Sequence, residues 1–257
     1  MPLRKFRSKA LLEIVNKNPV FFFDFDGTLA EIVPTPEEAG LKPITKYIVM
    51  ELTKRFPVGI ISGRKLDELR GLVGIKGVLY SGNHGVEIEG PQLKFVEPES
   101  AEAAGHVTLL GKKIASRIES YKPRINFKKY SVSIHYRTVD PAKVKALLAE
   151  LNRMIEEPFR RGEISVMHGK KVVEIKSPSK WNKGDAIEMI MRKVKRRGLP
   201  IFFGDDTTDE YGFQKVNELN GVSVFVGRKH RGTAAKYQIE SPSRLVGALA
   251  SFLFALK

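Results

Sequence analysis

Cysteine is absent from the 257 residues. That excludes a disulfide framework and any thiolate metal site, and it suits a cytoplasmic protein. Long apolar runs are missing too. The longest, LVGALASFLFAL at 245–256, has twelve residues. It is too short to span a bilayer and reads as a buried terminal helix that Ser241-Pro242 would start. No membrane partner is therefore expected. The basic stretch Arg4 to Lys17 has its apolar patch interrupted by Glu13, so no secretory leader is read there. Acidic residues are in short supply: Asp and Glu number 29 against 44 Lys and Arg, a formal charge of +15. Such a field attracts anions, whether nucleic acid, a membrane surface or a small phosphorylated substrate. The densest basic run, RKVKRR at 192–197, reads as a solvated helix face. No helix-turn-helix, zinc-finger or RNP-type signature accompanies it, so nucleic acid is not the expected partner.

What remains is ordinary for a soluble globular chain: 42% hydrophobic and 28% charged, with enough length for one domain plus an insert or two small domains. Short apolar runs recur at 20–25, 58–62, 77–81, 200–205 and 223–227. They mostly lack polar alternation, which is how strands buried on both faces look, and this predicts a parallel sheet covered by helices. Helical patterns at 44–55, 65–73 and 185–197 lie between them. The fold class is α/β, a Rossmann-like parallel-sheet core. The middle of the chain differs. YSVSIHY (130–136) and EISVM (163–167) alternate residue by residue, the pattern of an antiparallel sheet with one wet face. The order there reads helix, two strands, helix, two strands. The expected division is a discontinuous core of 1–98 and 177–257 with an inserted α+β domain at 99–176.

Chemistry gathers at strand ends, where open parallel sheets bind ligands. FFFDFDGTLA, 21–30, ends a strand in Asp24 and Asp26. With a two-residue period both point to one side if the strand continues that far. Gly27-Thr28 then offers a turn with exposed N–H groups. Ser62-Gly63-Arg64 follows the second run, and GDDTTDE (204–210) follows the fourth with Asp205, Asp206 and Asp209. Lys183-Gly184 opens the helix before that strand. Acids alone would repel a phosphate; with Mg²⁺ and Lys183 the cluster can hold one.

This order of motifs resembles the haloacid dehalogenase superfamily of phosphotransferases. DFDGTLA is similar to its first motif, D-x-D-x-T. Ser62 matches the second, Lys183 the third and GDDTTD the fourth, and the insert resembles a type-two cap. GNHGVEI (82–88), SIHYR (133–137), KKVVEIK (170–176) and GDDTTDE are similar to segments of the trehalose-6-phosphate phosphatase group. SPSKWNKGDA departs from the Pro-x-Gly usual there, and the charge is more basic than that group leads one to expect. The resemblance implies a Mg²⁺-dependent phosphatase acting on a phosphorylated sugar. Asp24 is then the nucleophile and Asp26 the acid and base. Asp24, the Asp26 carbonyl and Asp205 bind the metal, with Asp209 supporting them. Ser62 and Lys183 hold the phosphoryl group.

For the sugar, the resemblance implies Arg64, His84, Lys128, His135, Arg137 and Glu174. Trp181 is expected to pack rather than to form a sugar platform. A monomer is expected over an oligomer. Two alternatives stand beside trehalose 6-phosphate hydrolysis: the same chemistry on a sucrose or mannosylglycerate phosphate, and a basic nucleic-acid-binding module on this scaffold.

Overall fold

The computed structural model describes residues 3–33, 39–169, 171–194, 198–228 and 232–256. The last residues of the basic run, Lys195 to Arg197, lie outside them, as does Lys170 of the KKVVEIK segment. In chain order the elements are β1 (Arg4–Lys5), α1 (Ser8–Ile14), β2 (Val20–Phe23), α2 (Pro43–Thr53), β3 (Val58–Ile61), α3 (Leu66–Val73), β4 (Leu79–Gly82), β5 (Glu87–Gly90) and β6 (Leu93–Val96). There follow α4 (Pro98–Ile118), β7 (Arg124–Phe127), β8 (Ser131–His135), α5 (Pro141–Arg160), β9 (Ser165–Gly169), β10 (Val172–Lys176), α6 (Lys183–Lys193), β11 (Pro200–Gly204), α7 (Glu210–Glu218), β12 (Val222–Val226), β13 (Tyr237–Ile239) and α8 (Pro242–Ala255). Among the described residues no helix is long and apolar enough to cross a membrane.

The chain divides into two compact units, 1–95 with 181–257, and 96–180. The first holds a sheet in the order β1-β13-β12-β11-β2-β3-β4-β5-β6. Neighbours from β1 through β4 pair in parallel, and β5 turns antiparallel to β4. This is the α/β arrangement expected from the apolar runs. The three consecutive phenylalanines of β2 follow from burial on both faces. Phe21 and Phe23 join one cluster with Leu11, Val49, Leu52, Leu69 and Leu249 from α1, α2, α3 and α8. Phe22 points the other way, into a cluster with Ile187 and Ile190 of α6 and Phe213 of α7. Phe23 stacks on Phe203 of β11 at 5.1 Å between ring centroids, which locks the two central strands in register.

The second unit is a four-stranded antiparallel sheet, β7-β8-β10-β9. Its apolar face, with Val132, Ile134, Val173 and Ile175, packs against Ile114 and Ile118 of α4 and Leu147 and Leu151 of α5. Register then decides the opposite face. Glu174 pairs with Ser133, and His135 with both Arg124 and Val172, so Arg124, Asn126, Ser131, Ser133, His135 and Glu174 share the polar side.

Three expectations shift. α6 ends at Lys193 with Val194 extended, where a helix was expected to run to 197. β2 stops at Phe23, so the strand period does not carry Asp24 and Asp26 to a common side. β9 begins at Ser165 rather than at Glu163.

Candidate active site

Four backbone bonds shape the turn after β2, one of them from the Gly27 N–H, expected to be exposed, to Ala30 O at 2.8 Å. The Asp24 N–H extends the ladder to Phe203 O at 2.8 Å, and the Leu29 and Ala30 N–H groups both donate to Phe25 O. Gly27 sits at φ 83°, and a Cβ there would lie 2.1 Å from Asp205 Oδ2. Only glycine lets the Asp205 carboxylate rest against this turn. The Thr28 hydroxyl then donates to Asp205 Oδ1 at 3.2 Å, joining the β2 end to the β11 end.

Lys183 lies in the first turn of α6, whose start is fixed by a capping box between Asn182 and Asp185. Its ammonium is buried, and Nζ donates to Asp24 Oδ1 at 2.7 Å and to Asp209 Oδ1 at 2.6 Å. Asp209 is fully buried, and its Oδ2 accepts the N–H groups of Asp205 and Asp206 at 3.0 Å each. Both oxygens of Asp209 are thus committed to holding Lys183 and the loop after β11.

Burial pushes the Asp24 carboxyl well above the usual carboxylate range; the Lys183 charge opposes this, and Asp209 and Asp205 reinforce it. Burial and the Asp209 charge push Asp205 up to about 7. Burial alone would lower the Lys183 ammonium, but Asp209 and Asp24 hold it above its ordinary value. One ammonium faces three acids whose carboxylate oxygens can lie within 4.8 Å of one another. This is a pocket of oxygen donors with surplus negative charge, and a hard divalent cation fits it.

Asp26 turns elsewhere. Its two oxygens accept Arg64 Nε and Nη2, each at 2.7 Å. Arg64 also donates to Glu68 and lies over the Phe25 ring, 5.4 Å from its centroid. Ser62 follows β3, is 1% exposed, and its Oγ accepts the Arg64 N–H at 3.2 Å. The His84 ring packs on Gly63, whose added Cβ would come within 2.5 Å of it. Trp181 packs on Phe95 at 5.1 Å, as expected of it.

In the second unit Glu174 Oε1 accepts Lys128 Nζ at 3.0 Å and Ser131 Oγ at 2.6 Å. Burial and the charges of Arg124 and Lys128 lower the His135 imidazole. Arg137 is exposed in the turn after β8. The structure therefore gathers Asp24, Lys183, Asp205 and Asp209 in one cluster, pairs Asp26 with Arg64, and groups Lys128, His135 and Glu174 on one sheet face. Thr28, the threonine of the D-x-D-x-T match, and Ser131, which the sequence reading did not single out, both join these networks. The alternation in YSVSIHY, which puts Ser131, Ser133 and His135 on one side, is the signal for the second.

A parallel sheet with acids at the ends of adjacent central strands is the haloacid-dehalogenase-like arrangement. The solved C-terminal domain of a trehalose-6-phosphate phosphatase from C. albicans has this fold, with a TM-score of 0.78 at 23% identity, over 98% of each chain. Residues 22–243 match the family described as trehalose-phosphatase, and the chain belongs to that family. It is 30% identical over 242 residues to "Probable trehalose-phosphate phosphatase 4" of Oryza sativa subsp. japonica, covering 90% of this chain. It is also 30% identical over 243 residues to the trehalose-phosphate phosphatase of Mycobacterium tuberculosis. The chain spans 64% of the rice protein's length and 60% of the mycobacterial one's.

Proposed function

We propose that this protein is a Mg²⁺-dependent phosphatase that hydrolyses trehalose 6-phosphate through a phosphoryl group carried on Asp24. The observation that carries this reading is the buried Asp24–Lys183–Asp209 arrangement beside Asp205, in a chain of the trehalose-phosphatase family. A phosphomonoester dianion needs a nucleophile, a proton donor and charge neutralisation at once. An Asp24 oxygen attacks phosphorus, and the bond from phosphorus to the sugar oxygen breaks. Asp26 gives its proton to that leaving oxygen, then takes one from the water that attacks phosphorus and frees both phosphate and Asp24. For this Asp26 must exchange its Arg64 partner for the substrate oxygen, which leaves the Arg64 guanidinium beside the incoming anion.

Lys183 and the Ser62 hydroxyl hold the transferring group. Asp24, the Asp26 carbonyl and Asp205 would hold the cation, with Asp209 keeping Lys183 and the Asp205 loop in place. When bound, Mg²⁺ supplies positive charge to the phosphoryl oxygens and offsets the surplus acids. The 96–180 unit acts as the cap that selects the sugar, and the Lys128, His135 and Glu174 face suits a polyhydroxyl ligand.

Acid quenching during turnover, followed by mass spectrometry, tests the covalent step. A phosphoryl group is expected on the peptide containing Asp24. Full turnover with no phosphopeptide would refute it.

A further inference from the structure

Three successive residues, Asn83, His84 and Gly85, have positive φ of 50°, 58° and 108°. Left-handed backbone at two non-glycine positions in a row is costly and persists only where the surroundings hold it. Two sets of contacts hold this turn, and each leads to one of the loops assigned to the phosphoryl group.

On one side the turn is laced to the loop after β3. The Asn83 N–H donates to Arg64 O at 2.7 Å, and the His84 N–H to Ser62 O at 2.9 Å. On the other side it meets the loop that opens α6. Trp181 Nε1 donates to Gly85 O at 2.8 Å. A Cβ on Gly85 would lie 2.8 Å from Asn182 O and 3.1 Å from the Ala186 Cβ, so the helix start sits directly on the bare Cα. Asn182 is the cap of α6, and Lys183 is the next residue.

We propose that the Asn83–Gly85 turn, pinned by the Trp181 indole, is a positioning element that sets the spacing between Ser62 and Lys183. This goes beyond the phosphatase reading but rests on it, since it assigns no new chemistry to the two residues. Trp181 and Gly85 touch no reacting atom; they act through the backbone of 62–64 and the α6 cap. The single indole N–H is the feature that distinguishes a pin from packing, because the Phe95 contact needs only the ring.

Trp181→Phe keeps an aromatic ring and removes the N–H, and Gly85→Ala pushes on the helix cap. Both are expected to lower kcat on p-nitrophenyl phosphate and to raise the Kd for inorganic phosphate, measured by calorimetry with MgCl₂ present, by about 10- to 100-fold, the scale of a small misplacement. A merely structural role would lower Tm and the active fraction but leave that Kd alone. If Gly85→Ala does not fold, Trp181→Phe decides the matter. A folded Trp181→Phe whose phosphate Kd and kcat both stay within about twofold of the unmutated protein, well short of a tenfold misplacement effect, would overturn the inference while leaving the phosphatase reading intact. An unmutated protein that neither binds phosphate nor hydrolyses the ester would overturn the phosphatase reading, and this inference with it.

Discussion

Asp24 is buried against Lys183 Nζ, with Asp205 and Asp209 close by. If Asp24 carries the phosphoryl group as proposed, replacing the attacking oxygen by an amide keeps the size and removes the covalent step. Asp24→Asn is therefore expected to fold with a normal circular dichroism spectrum and to lose several orders of magnitude in kcat; near-normal turnover would remove Asp24 from the mechanism. Glu174 makes a second residue-level case. It is buried, and it holds Lys128 and Ser131 together on the polar sheet face. A site built to pair hydroxyls loses heavily when one polar member goes. Glu174→Ala should cost about 10- to 1,000-fold in kcat/KM for trehalose 6-phosphate and little on p-nitrophenyl phosphate. Equal losses on both would give Glu174 a purely structural role. The motif acids and Lys183 were legible in the sequence, because each stands at an element's end in a chemically telling order. The Asp26–Arg64 pair was not. Once β2 stops at Phe23, side-chain direction is set by the turn and not by strand period. The double commitment of Asp209 was likewise hidden, since it depends on where the next loop's N–H groups fall.

Among the elements, α4 shows how much one cap carries. Glu97 precedes Pro98, and its carboxylate accepts the Glu99 N–H at 3.0 Å and the Ser100 N–H at 2.7 Å. Burial pushes this carboxyl up, but the hydrogen bonds from Ser100, Glu99 and Ser179 outweigh burial and hold it below the ordinary glutamate range. A depressed carboxyl stabilises the fold above its unfolded value and ceases to do so as pH falls through its folded value. Glu97→Ala should thus cost about 1 kcal/mol at neutral pH, by chemical denaturation, with the gap closing in acid. A gap that stayed constant down to acid pH would contradict the charged cap. The central strands were readable because burial on both faces leaves apolar runs such as VFFF and PIFFG. β5 and β6 carry Glu87, Glu89 and Lys94 among their apolar residues, which blurs the run. β1 is two exposed residues at the sheet edge, too short for any period. α7 follows so closely on GDDTTD that its first turn reads as part of the motif loop.

At the scale of the whole molecule, the formal charge of +15 is a long-range attraction for dianionic esters of every kind. It cannot choose among sugars, and on the proposed reading neither can the cluster of Asp24, Lys183, Asp205 and Asp209, which would meet only phosphate and cation. The proposed function gives choice of sugar to the 96–180 unit, whose alternating strands were visible in the sequence while the identity of the polar face needed the β8–β10 register. The fold class and the residues of the acid and lysine cluster were thus legible from local order in the chain, whereas the polar sheet face needed pairing between distant segments. The direct test of the central claim is phosphate release from a panel of trehalose 6-phosphate, sucrose 6-phosphate, mannosylglycerate phosphate and p-nitrophenyl phosphate, each with Mg²⁺ and with EDTA. The account predicts the highest kcat/KM on trehalose 6-phosphate, no release in EDTA, and recovery when Mg²⁺ is restored. A preference for another sugar phosphate would contradict the substrate assignment, and full activity in EDTA would contradict the mechanism.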